Sequence, residues 1–284
     1  MRNTGYFMTA IALLAAVAGF LLRQREVATV FDPNTGLAAR GESVSILLMA
    51  LSACVLLLLF GLCFRIPERE LSVFSKAFPA NWLISGLLAL FGFFVILSTV
   101  LETLAYPAGG AFPIVSYLQT GAALLSGICL SYMAVRGPRR GNVAVAAAVP
   151  VFWLCLWLVA SHIAEASNPV LLRYVYSFFA LAFLLLALYY LAGFAFHQGK
   201  PKKFIFSSSA AIYFIGVTMA DGHNLYQSVL FLALAATLLV YHLLLTYSLA
   251  QPEPEKEKEA SAFPWVPPPV SEHKKPYWDV DLDE

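Results

Sequence analysis

Charge is scarce in this chain. Only 12% of its 284 residues are Asp, Glu, Lys or Arg, against about 25% in an ordinary soluble domain, while 60% are hydrophobic. A water-soluble globule needs a polar exterior that this composition cannot supply, so the sequence predicts an integral membrane protein whose first partner is the lipid bilayer. Cysteines number only four. Cys54, Cys63, Cys129 and Cys155 all fall inside apolar stretches, which leaves no disulfide framework and no CxxC metal knuckle. There is no HExxH for a zinc protease and no GxxxxGK[ST] phosphate loop. No apolar run contains an internal Asp, which argues against paired-aspartate intramembrane proteolysis, or a Lys, which excludes a retinal Schiff base. A formal net charge of +1 gives no field that would recruit nucleic acid. No cofactor is expected.

What the chain has instead is long apolar runs. At roughly 20 residues per spanning helix, the apolar share suffices for about eight spans and leaves little for a soluble domain. They read as 6–22, 44–64, 82–104, 114–135, 142–161, 170–196, 204–220 and 226–248, an all-α bundle over residues 1–250. Two are weak. The first is short and begins after a basic Arg2, as a signal peptide would, but Arg23-Gln24-Arg25 stands where a small-residue cleavage site would be expected, so it is read as retained. The seventh is diluted by Ser207, Ser208 and Ser209.

Lys and Arg near span ends favour the cytoplasmic side. Segments 65–81, 136–141 and 197–203 hold three such residues each, and the intervening loops 105–113, 162–169 and 221–225 hold none. This alternation predicts both termini in the cytoplasm. The loop 23–43 then lies outside and counts against the rule, because it carries Arg23, Arg25 and Arg40. Inside it, Phe31-Asp32-Pro33-Asn34-Thr35-Gly36-Leu37 has turn chemistry, with Asp before Pro and a Gly for positive φ. An FDPxTGL-like loop between a short first span and an Ala/Leu-rich second one resembles bacterial multi-pass membrane proteins without an assigned activity. That resemblance implies a bacterial inner membrane and no particular chemistry.

Three further segments invite a role. In 67–78, Pro67 suits a helix start, and Leu71, Phe74 and Phe78 recur at helical spacing, as in a short helix lying among headgroups or a linker following the membrane surface. From Gln251 the chain turns Pro-rich and charged, with nine acids against four lysines, which predicts a disordered cytoplasmic tail over 251–284. Phe263, Trp265, Tyr277 and Trp278 are its candidate docking residues for a protein partner, since a Pro-rich segment set in extended geometry is easily ordered on binding. In the inner half of span eight, His242 beside Tyr241 reads as a hydrogen bond to a neighbouring helix rather than a proton relay. Ala123, Gly127 and the alanines 146–148 suggest close packing of spans four and five.

The topology gathers Glu102, His162, Glu165, Arg173, Asp221 and His223 at the outer ends of the spans. His162 and Glu165, three apart, share a helical face, and Asp221-Gly222-His223 is a flexible ligand pair. Converging, they could bind a divalent metal, with Arg173 on a carboxylate or an anionic substrate. Standing apart, they are solvated helix ends. Three functional readings follow: an interaction protein in sensing, scaffolding or assembly through its tail, without enzymatic chemistry; a small transporter or channel subunit; and a metal-dependent membrane hydrolase built on the outer cluster.

Overall fold

The computed structural model describes residues 4–31, 42–66, 71, 73–105, 113–139, 142–165 and 170–251, and no strand occurs among them. Eight helices there are long and apolar enough to cross a membrane, so the chain is a multi-pass membrane protein. In chain order they are α1 (Thr4–Thr29), α2 (Ser43–Cys63), α4 (Trp82–Ala105), α5 (Pro113–Arg136), α6 (Ala144–Glu165), α7 (Leu171–Ala195), α8 (Pro201–Thr218) and α9 (Leu225–Ala250). One short turn of helix, α3 (Phe74–Ala77), precedes α4, and a 3₁₀ turn (Met219–Asp221) follows α8. Pro201 opens α8 at a position where a missing N–H costs nothing. The 3₁₀ turn ends at Gly222, whose φ of 73° is left-handed backbone that glycine adopts without strain.

Helices α4 to α9 form a closed circuit, each packed on the next and α9 on α4, while α1 and α2 pack on α8. Helix α8 therefore has neighbours on every side. Of its most apolar window 72% is buried, against 22% for α2, and Ser207, Ser208 and Ser209 are all inside. The serines that dilute this run are tolerated because the helix faces protein rather than lipid.

The close packing expected of spans four and five is present, and one other expectation about packing changes. Gly127 meets α4, where a Cβ on it would stand 2.9 Å from the Gly92 carbonyl oxygen and a Cβ on Gly92 2.8 Å from that of Gly127; the small residue serves the α4–α5 contact, which Ser131 reinforces by donating to the Ala89 carbonyl at 3.1 Å. Helices α5 and α6 also pack together. In the segment before α4, Leu71, Phe74 and Phe78 are buried, so the apolar face of this turn is turned into the protein and not into headgroups. Phe78 packs on Phe194, Phe204 and Tyr241 with ring centroids 5.0, 5.9 and 5.1 Å away, and Ser248 donates to the Ala77 carbonyl at 3.0 Å. Helix α3 plugs the end of the circuit that carries Lys76, Arg136, Arg139 and Lys200, called the basic end below.

Candidate functional site

At the opposite end the structure brings together a set of polar groups centred on Asp221. The signal lies in α1. Met8, Ala12, Ala16, Gly19, Arg23, Glu26 and Val30, at steps of three and four, are all buried, so one stripe runs the length of the helix and its last turns carry charge. Small residues open the way: a Cβ on Gly216 of α8 would meet Ala16 Cβ at 2.6 Å, and one on Gly19 would meet Val217. This close approach delivers Arg23 to the end of α8. The sequence boundary at residue 22 fell seven residues early because hydropathy reads Arg23 and Glu26 as loop residues. Since Arg23 is inside the helix and ion-paired, it no longer stands against the charge rule as an outer-loop cation.

Arg23 is 1% exposed and Glu26 0%. The guanidinium donates through Nε to Asp221 Oδ1 at 2.5 Å and through Nη1 to Glu26 Oε2 at 2.7 Å, with its Cζ 4.9 Å from the centre of the Tyr176 ring and 5.7 Å from that of Phe31. A planar fork between two carboxylates and two rings is a setting for Arg rather than Lys. On the far side of Asp221, Oδ2 accepts from Thr218 Oγ1 at 2.7 Å and from Ser177 Oγ at 3.3 Å. Thr218 Oγ1 also lies 2.6 Å from Ser177 Oγ and 3.1 Å from His223 Nε2. With the Thr218 proton committed to Asp221, the His223 ring is the donor at Nε2. Burial pushes the His223 pKa below the usual histidine range, and Asp221 and a hydrogen bond with Gln227 oppose that shift, so the ring is neutral at pH 7. One aspartate thus ties α1, α7, α8 and the turn before α9.

A cavity of about 290 Å³ opens beside this network between α6, α7 and α9, with Glu165, Ser177, Asp221 and His223 in its wall and Trp157 and Phe231 among its aromatic surfaces. Trp157 stacks on Trp153 and packs on Phe231, with centroids 5.4 and 5.0 Å apart. The arrangement can hold a small ligand by hydrogen bonds and ring contacts.

The six residues singled out from sequence do not meet at one point. Asp221, His223 and Glu165 share the cavity. Glu102 lies apart, accepting at 3.3 Å from Asn224 Nδ2, whose Oδ1 caps α9 by accepting from the Gln227 N–H at 2.7 Å. His162 is exposed, its ring 6.2 Å from that of Phe178. Arg173 belongs to the first turn of α7, and its side chain lies outside the described residues. Among the described residues no three of His, Cys, Asp and Glu form a group that could hold a metal ion. Around Asp221 the described residues form an ion-paired network whose cation is Arg23. Phe263, Trp265, Tyr277 and Trp278, and the string Asp32–Leu37, also lie outside the described residues.

His242, at the basic end, behaves as expected. It is buried, with Nδ1 2.8 Å from Ser208 Oγ and Nε2 3.4 Å from the Gly5 carbonyl oxygen, and so links α9 to α8 and α1. Helix α1 is fastened at both ends, to Asp221 at one and His242 at the other.

Compared with known proteins, the chain matches no family model, no curated protein and no solved structure.

Proposed function

We propose that this is a non-enzymatic protein of a bacterial cytoplasmic membrane, with both termini in the cytoplasm, that senses a small solute at its outer end and acts on a protein partner through residues 251–284. One observation supports the sensing half: Asp221 is at once part of the cavity wall and the partner of Arg23. A solute that competes for Asp221 weakens the hold on α1. That helix runs from Asp221 in the cavity wall to His242 on α9, and in sequence the proposed tail follows α9. A ligand shifts such an equilibrium only by its differential affinity for the two states, and a shared carboxylate provides one. The basic residues confined to one end and the charge pattern of residues 251–284 support the orientation and the partner.

The test compares crosslinked affinity capture from native membranes for the full chain, the chain stopped at Ala250 and Asp221→Asn. A specific partner held by the full chain, lost on truncation and altered in yield by Asp221→Asn supports the proposal. Equal capture by all three, with each protein folded, overturns it. A second reading, a small transporter, draws on cavities beside the α6–α7 pair at both ends of the bundle, of about 290 and 510 Å³. It requires solute flux in reconstituted vesicles, abolished by filling the outer cavity with Ser177→Trp.

A further inference from the structure

A further cavity lies at the basic end and belongs to none of the above. It measures about 740 Å³ and is open on one side, where α3, the end of α5, the start of α6 and the end of α7 meet. Its walls are amphipathic. Phe74, Phe194 and Phe196 give it an apolar floor, Lys76, Asn142 and His197 give it a polar rim, and among the described residues lining it none is a carboxylate. Gly137 lines it between Arg136 and Arg139, which are both exposed. His197 stands at φ 58°, the left-handed residue that ends α7 just past its C-cap Phe196. The turn it makes is closed by the Gln198 N–H donating to the Gly193 carbonyl at 2.8 Å.

Position narrows the occupant. The cavity lies where three spanning helices end, at Arg136, Ala144 and Ala195, which is the depth of the headgroups and the first methylenes of a bilayer. A small inorganic anion would leave the phenylalanine floor unused, and an uncharged lipid would make no use of the exposed Arg136 and Arg139 at its mouth. We infer that this cavity is a site for an anionic phospholipid, with the phosphate between Lys76, His197 and the Arg136–Arg139 turn and an acyl chain along Phe74 and Phe196. Basic pockets between helices on the side of the membrane rich in anionic lipid bind headgroups in this way. The site would fasten α3, the plug of the bundle, to α5 and α6 through a lipid.

The experiment is native mass spectrometry of the full chain in detergent, titrated with an equimolar mixture of phosphatidylglycerol and phosphatidylcholine of the same acyl chains. The parent protein takes phosphatidylglycerol first, with a preference of about fivefold for each basic side chain engaged. Lys76→Gln with Arg139→Gln brings the two lipids to near parity, and Arg25→Gln, exposed at the other end of the bundle, leaves the preference intact. Asn142→Asp guards against misfolding as the cause. Its carboxylate still accepts from the Ala144 N–H, as Asn142 Oδ1 does at 3.2 Å, yet places a negative charge on the rim, and the preference falls while thermal unfolding stays that of the parent. Equal uptake of both lipids by the parent overturns the assignment, as does a preference that survives Asn142→Asp.

Discussion

Replacing Arg23 by Gln tests whether the network at Asp221 holds the bundle together. The substitution removes the cation and leaves two carboxylates close together in a protein interior. Asp221 keeps two hydroxyl donors, Thr218 and Ser177, but Glu26, which is fully buried, loses the donor to Oε2, and its Oε1 has no hydrogen-bond partner among the described residues. Breaking a buried ion pair from one side costs about 3–5 kcal/mol, mostly the penalty of the charge left behind, and Glu26 is the larger share of it here. Adding Glu26→Gln to Arg23→Gln removes that charge, so the double variant recovers at least about 2 kcal/mol of the loss. Arg25→Gln, two residues away and exposed, stays within about 0.5 kcal/mol of the parent. The assay is reversible unfolding in bicelles against SDS, followed by tryptophan fluorescence, because Trp153 and Trp157 lie in the neighbouring helix α6. An Arg23→Gln protein within about 1 kcal/mol of the parent, or a double variant no more stable than the single one, would refute the reasoning that this cluster is an interlock rather than a solvated helix end.

Three other outcomes follow from the same geometry. Gly127→Leu drives a side chain into Ile96 and the Gly92 carbonyl and costs about 1–3 kcal/mol in that assay, while Gly86→Leu, with nothing within 4 Å of its Cβ, is near neutral. Because burial lowers the His223 pKa in the fold, the unfolded chain binds more protons below its own value of about 6.5: stability from this residue is fully present above that pH and falls as pH drops toward the folded value, and thermal unfolding from pH 7.5 to 5 loses this component in His223→Gln. Cys54 and Cys155 are exposed on the surface of the protein yet sit inside spans, so a membrane-impermeant maleimide leaves both unlabelled in intact vesicles and labels them after SDS; labelling in vesicles would place those faces in water.

Eight spans were legible because lipid imposes one rule on every helix it touches: long, uncharged and apolar. That rule is silent about helices that touch protein, and the departures from expectation occur there. Helix α1 runs to Thr29 instead of 22 because Arg23 and Glu26 have partners. The aromatic face before α4 looked like a membrane-surface helix because amphipathicity records that a face is buried, not in what; Phe78 is buried in the bundle, against Phe194 and Tyr241. The candidate site was half legible for the same reason. Asp221 and His223 stood out as polar residues between spans, whereas Ser177 and Thr218 look like ordinary glue in α7 and α8.

The stripe in α1 shows what could have been read. Its small residues and its two charges share one face at steps of three and four, a pattern that a lipid-facing or solvent-facing end would have no reason to keep in phase. An Arg at the end of such a stripe must meet a carboxylate or a ring on the helix that the stripe packs against. Among the acids at that end, Asp221 directly follows the helix whose serines already mark it as facing protein. Polarity inside an apolar run therefore identifies the central helix, α8, and the phase of the small residues on α1 identifies which partner reaches it. Together they locate the one buried ion-pair network among the described residues, and with it the place where a ligand could loosen the bundle.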